Sequence, residues 1–233
     1  MIYSMDLVKK YFRSAFSVDS VVFGFDEGDL KVLLIYRGAE PYKETWALPG
    51  DLVRLDEDLD ESVRRVLKDL TGMSNIYMEQ IHTFGRVDRH PLGRVITVSY
   101  MSLVKISDYK LNASSWAKDA QWHSVNNIPK LPFDHNEILD FAMEKLKDKV
   151  RRQPIGFELL PREFSITELQ HLYECVLGIN FDKRNFRKKL SSMNFLVDSG
   201  VSQNSVAHRP AKLYRFDSKK YNTLIKKGFS FEI

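Results

Sequence analysis

The part of this 233-residue chain with the clearest capacity for chemistry is Leu48 to Met73, LPGDLVRLDEDLDESVRRVLKDLTGM. A Pro49-Gly50 turn leads to Glu57, and Arg65 and Asp69 follow one helical turn apart. Carboxylates placed on one helix face after such a turn can hold a divalent cation. The question is whether enough acids fall where a metal would need them.

A helix must carry these residues. Leu59, Val63, Val66, Leu67 and Leu70 recur at three-and-four spacing, Asp58 and Asp60 stand at the front, and Gly72 lies just past the end. That pattern predicts a helix over 59–70, with favourable charge at its N-terminus and a glycine cap. Around it, Val21 to Phe25 and Leu30 to Ile35 flank Asp26-Glu27-Gly28-Asp29, a hairpin signal. Residues 76–84, 95–106 and 117–125 are strand-like, and 136–150 is helical, with Ile138, Leu139, Ala142, Leu146 and Val150 on one face. Strands interleaved with two helices make residues 1–150 an α/β sandwich.

Charge divides the chain at about the same place. From Arg151 onward there are fifteen Lys and Arg against eight Asp and Glu, a surplus of seven, whereas 20 against 23 leaves the first 150 residues three negative. A basic small domain after a mildly acidic larger one suggests a polyanionic partner for the second part alone. Two domains, 1–150 and 151–233, fit the length, with the boundary in the charged run that ends at Pro154. No stretch approaches the roughly 18 apolar residues of a membrane helix, and charges interrupt residues 1–16, so a membrane partner is not expected and a cytoplasmic location is. A single cysteine, Cys175, excludes an internal disulfide framework and is read as a buried structural thiol.

In the second domain Ser165-Ile166-Thr167-Glu168 forms a capping box ahead of an apolar stripe that ends at Gly178. A second helix is predicted over 182–193, with Asp182 as its cap and Phe186, Leu190 and Met193 as its buried side. Lys183, Arg184, Arg187, Lys188 and Ser191 then face outward. Two strands, 194–201 and 212–216, follow as a hairpin that offers His208, Arg209 and Lys212. Helix, helix and two-stranded wing is the order of a winged helix-turn-helix, whose second helix reads base edges in the major groove while the wing meets the backbone.

The spacing from Leu48-Pro49-Gly50 through Glu57 and Arg65 to Gly72 resembles the Nudix box, G-x5-E-x7-R-E-U-x-E-E-x-G-U with U apolar. Its glutamate falls on Glu57 and its arginine on Arg65. The chemistry departs from the pattern: the opening glycine is Asp51, the glutamate after the arginine is Val66, and the paired glutamates are Asp69 and Leu70. Those glutamates hold magnesium in active members, so the resemblance implies a scaffold with no catalytic residues, no metal site and no cofactor. The segments Glu79 to Gly85, Asp88-Arg89, Pro91 to Val95 and Leu131 to His135 resemble the ADP-ribose-pyrophosphatase-like branch. Joined to a winged helix, the whole, from about Asp19 to Phe216, is similar to the Nudix-related transcriptional regulators, the NrtR-like family.

That resemblance implies a Nudix-type α/β/α sandwich followed by a small winged helix domain. It also implies a repressor function: operator DNA bound by a homodimer, and a small effector sensed by the first domain. The degenerate box looks closer to the arabinose-responsive AraR type, so L-arabinose stands beside ADP-ribose as effector. Pockets of this fold lie between sheet and box, which makes Arg37, Trp46, Arg86, Asp88 and Arg94 the ligand-binding candidates. His135 and the helix after it lead toward the second domain and are candidate transmitters. The competing reading is a magnesium-dependent hydrolase of a nucleoside-diphosphate sugar.

Overall fold

The structure, a computed structural model, describes residues 14–26, 28–202 and 210–233. Its contacts divide into two compact units: one gathers the described residues up to Gly24 with Lys31–Ala142, the other Phe25–Leu30 with Met143–Ile233. No helix among the described residues is long and apolar enough to cross a membrane.

The first unit is built on strands β1 (Ala15–Asp26), β2 (Asp29–Arg37), β3 (Trp46–Ala47), β4 (Gly50–Leu52), β5 (Glu79–Phe84), β6 (Val95–Lys105) and β7 (Ala117–Ser124). They form one sheet in the order β3-β2-β1-β6-β5, with β4 paired to β1 and β7 to β2. The long strands β1, β2 and β6 are buried along most of their length, as their near-continuous apolar runs require. Helix α1 (Leu59–Thr71) lays Val63, Val66, Leu67 and Leu70 into the core formed with Val18, Val22, Leu33, Val98 and Tyr100. Gly72 closes it as the sequence predicts, at φ 77° in the left-handed region, and its front carries a capping box that was not predicted, in which Asp58 and Glu61 exchange backbone hydrogen bonds. Helix α2 (His135–Arg152) follows β7.

In the second unit a 3-10 turn (Pro154–Leu159) and β8 (Phe164–Ser165) precede α3 (Ile166–Leu177) and α4 (Lys183–Ser192). Then come β9 (Leu196–Ser202), β10 (Lys212–Phe216) and α5 (Ser218–Lys226), and the small sheet has the order β8-β10-β9. The Ser165–Glu168 capping box forms as predicted. Phe157, Phe164, Phe195, Phe216 and Phe231 make an aromatic core for this unit; Phe157 stacks on Phe216 with centroids 4.6 Å apart. Cys175 is half-buried rather than buried, and burial holds its thiol above the ordinary range, which suits a structural group. The turn at 154–159 and helix α5 were not predicted.

Candidate ligand cavity and nucleic-acid interface

Helix α1 turns Val66 and Leu70, which stand where the Nudix pattern has glutamates, into the core. Val66 is 0% exposed and Leu70 1%. The acids that remain nearby are spent on one cation. Arg65 Nε donates to Glu57 Oε2 at 2.7 Å, and Asp69 lies 3.9 Å from the same guanidinium. The Glu57 carboxyl is pulled down to about 2, chiefly by its hydrogen bond from Arg65. Loop and helix are thereby pinned together, Arg65 also donating to Leu52 O at 3.0 Å. Among the described residues no group of three or more His, Cys, Asp or Glu could hold a metal ion.

A cavity of about 360 Å3 opens elsewhere on the first unit. Its floor is a buried polar network. Asp19, set in the middle of β1, accepts from Thr97 Oγ1 at 2.7 Å and Arg89 Nη2 at 3.3 Å. Arg89 also forks onto Asp134, at 2.8 and 2.7 Å. His135 Nδ1 accepts the Leu48 amide at 3.0 Å, so the tautomer assigned by that contact directs Nε2–H to Asp19 Oδ1, 3.4 Å away. Burial alone would raise the Asp19 carboxyl, but His135, Arg89 and Thr97 together hold it below the ordinary range. The network also fixes Gly50: a Cβ there would sit 1.9 Å from Asp19 Oδ1, so the chain needs glycine for this close approach.

The cavity wall is aromatic and cationic. Arg37, the last residue of β2, is 8% exposed. Its guanidinium lies over Trp116 at 4.7 Å and over Phe133 at 5.2 Å, while Nε donates to Pro41 O at 2.9 Å. Trp116 Nε1 in turn donates to Asp51 Oδ2 at 3.2 Å. His90 stacks on Phe133, centroids 5.2 Å apart, and burial together with Arg89 and Arg37 keeps its ring below the ordinary range. It therefore offers the cavity a neutral imidazole at pH 7.

Of the five residues expected to bind ligand, only Arg37 lines this cavity. Trp46 packs against Tyr36 and His123, at 5.2 and 4.5 Å between centroids, and the ring at the cavity is Trp116. Arg86 pairs with Asp88 and Glu137 on the exposed surface, and half-buried Arg94 donates to Gly85 O. The other residues of its lining, among them Asp19, Asp51, Arg89, Trp116, Phe133 and the candidate transmitter His135, were not expected to bind ligand and come from separate elements and loops. One signal was available: Asp19 interrupts a strand that is otherwise apolar or small, and a buried acid must find partners.

In the second unit, α4 begins at Asp182, whose side chain accepts the Asn185 amide at 2.9 Å. Phe186, Leu190 and Met193 are buried, and Lys183, Arg184, Arg187, Lys188 and Ser191 are exposed, as the spacing predicts. Arg187 and Ser191 share a hollow of about 600 Å3 with Lys212 and Tyr214 of β10. Lys212 is exposed and paired with Asp198 at 3.0 Å. His208 and Arg209 lie outside the described residues. An apolar back that docks the helix and a cationic front beside a two-stranded wing is the geometry that a major-groove reader needs.

Comparison with known proteins agrees with both halves. Residues 14–142 match the NUDIX domain family, and residues 156–216 match the NrtR DNA-binding winged helix domain. The chain is similar to the ADPR responsive transcriptional repressor NtrR of Acinetobacter baylyi, 35% identical over 88% of this chain and 83% of that protein. It is also similar to the crystal structure of Shewanella oneidensis NrtR complexed with a 27mer DNA: 30% identity, TM-score 0.70, covering 86% of this chain and 93% of that one. The NUDIX domain of that Shewanella protein, cocrystallised with ADP ribose, covers 62% of this chain and 94% of its own at 30% identity and a TM-score of 0.55.

Proposed function

The chain belongs to the NrtR family of Nudix-related transcriptional regulators, and on that premise we propose that it is a repressor that responds to ADP-ribose with a Nudix-type domain that no longer hydrolyses it. Operator DNA is the partner of the winged helix, and a nucleotide sugar is the effector of the first domain. Of the two effectors implied by the resemblance, ADP-ribose is the one that the similar proteins carry, in the Acinetobacter repressor's description and in the Shewanella cocrystal. L-arabinose has no such support.

The observation that carries the loss of catalysis is the burial of Val66 and Leu70. A magnesium ion bridging a diphosphate requires several oxygen ligands on one face. This face supplies methyl groups, and the neighbouring Glu57 and Asp69 are held by Arg65. The cavity above Asp19 and Arg37 remains as the place for an effector, with Arg37, Trp116 and Phe133 as its walls.

Sensing then follows from linkage: ADP-ribose must bind the DNA-competent and DNA-incompetent states unequally. His135, which lines the cavity, and Asp134, which is paired to the lining residue Arg89, stand at the start of α2, and Ile138 N donates to Asp134 O in its first turn. We assign them to transmission, and a homodimer to the DNA-bound form. The test is a titration of ADP-ribose into the full chain bound to a fluorescent duplex enriched from a random pool by the protein itself. A change in apparent operator affinity of about 5- to 150-fold supports the reading. Unchanged affinity at saturating ADP-ribose refutes it.

A further inference from the structure

Arg37 is a buried cation with unused donors. Its Nε is committed to Pro41 O, but Nη1 and Nη2 donate to no partner among the described residues, and no carboxylate among them comes within 4 Å. Three carboxylates border the same cavity, Asp19, Asp51 and the exposed Glu40, and none of them forms an ion pair with this guanidinium. Asp19 is engaged by Thr97, Arg89 and His135, and Asp51 by the Leu52 amide at 2.7 Å and by Trp116. Burial pulls the Arg37 guanidinium below its ordinary range, against the opposing attraction of Asp51, Asp19 and Glu40. A buried charge left in this state costs free energy unless a ligand completes it.

The fork is also held rigid. Trp116 covers one side of the guanidinium and Phe133 lies within cation–π distance of it. Trp116 is itself fixed by Asp51, the residue that stands where the Nudix pattern has its opening glycine. A planar, clamped arginine with two free terminal nitrogens matches a pair of phosphoryl oxygens, because two parallel N–H···O bonds fit that geometry.

We propose that Arg37 is the phosphoryl receptor of the sensor cavity, that Asp51 positions it through Trp116, and that this protein cation takes over the charge neutralisation that magnesium supplies in a hydrolysing Nudix domain. The assignment rests on the ADP-ribose reading above, and its experiment separates the two. Calorimetry of the full chain with ADP-ribose is run in EDTA and in magnesium, across a range of salt concentrations, for the wild type and for Arg37→Gln, Arg37→Lys and Asp51→Ala.

The wild type is expected to bind equally in EDTA and magnesium. Arg37→Gln is expected to weaken binding by about 10- to 100-fold, the range for a lost charge-assisted hydrogen bond, and to flatten the dependence on salt. Arg37→Lys keeps the charge and loses the fork, so it retains the salt dependence with a smaller loss. Asp51→Ala is expected to weaken binding severalfold with the salt dependence kept, because the cation remains. A general packing defect would lower thermal stability without changing the salt slope. Binding by Arg37→Gln within twofold of wild type with an unaltered slope, or wild-type binding that requires magnesium, overturns the assignment and leaves the ADP-ribose reading standing. No binding of ADP-ribose by the wild type in either buffer brings down both.

Discussion

Arg89 and Asp134 meet fork to fork, Nε and Nη2 lying 2.8 and 2.7 Å from the two carboxylate oxygens, with both side chains almost wholly buried. Arg89 Nη2 also reaches Asp19, so one guanidinium balances two buried acids beneath the cavity. Arg89→Met is expected to lower stability by about 3–5 kcal/mol, because it strands Asp134 and leaves Asp19 with only Thr97 and His135 to compensate its burial. Urea denaturation of the variant checks this; a loss below about 1 kcal/mol would show that the network is dispensable.

Gly50→Ala should fail for a different reason. Its Cβ would meet Asp19 Oδ1 at 1.9 Å, with Val18 O at 2.9 Å, and neither the strand nor a carboxylate held by three partners can withdraw. The variant is expected to lose several kcal/mol, on the order of the larger overpacking costs. A thermal melt unchanged from wild type would contradict the assigned approach of β4 to β1.

The Glu57–Arg65 pair gives a signed pH dependence. The carboxyl falls from an ordinary value of 4.5 to about 2 in the folded protein. A lowered folded value means that the pair stabilises fully above the unfolded value and is lost as pH falls through the folded one. Glu57→Gln is therefore expected to cost about 1–3 kcal/mol at pH 7, and the gap to wild type should close between pH 4.5 and 2. Denaturation midpoints across that range measure it. A gap that is constant with pH would deny the ion pair its role.

Charge reversal on α4 tests the DNA face. Arg184 and Arg187 are exposed on the side opposite Phe186 and Leu190. Arg184→Glu with Arg187→Glu is expected to abolish specific binding to the enriched duplex while leaving the melting temperature and ADP-ribose affinity unaltered. Replacing either with Gln should lower the slope of log K against log salt by about 0.9 for each phosphate contact removed. Full retention of the duplex by the double variant in a gel shift would sink the assignment.

Much of the architecture was legible because local chemistry and tertiary packing agree. Gly72, Ser165 with Glu168 and Asp182 all cap helices where the sequence places caps. The substitutions at Val66 and Leu70 also read correctly, since apolar residues on a helix stripe have one place to go. The cavity was less legible. Arg37, Asp51, Arg89, Trp116 and Phe133 converge only after the sheet forms, and no period in the sequence links them. Trp46 and Trp116 are equivalent candidates as letters; strand register decides, setting Trp46 opposite Tyr36 and leaving Trp116 at the cavity. Helix α5 escaped because Lys219, Lys220, Lys226 and Lys227 mask its weak apolar side, where Tyr221 packs on Phe195 and Phe216.

Sensing without turnover is most directly tested by following one reaction with two readouts. The full chain on its fluorescent duplex is incubated with ADP-ribose and magnesium, and DNA occupancy and the nucleotide are monitored together. The account predicts a shift in occupancy while ADP-ribose is recovered intact over many equivalents of protein. Accumulation of AMP and ribose 5-phosphate, abolished by Asp69→Ala, would contradict it.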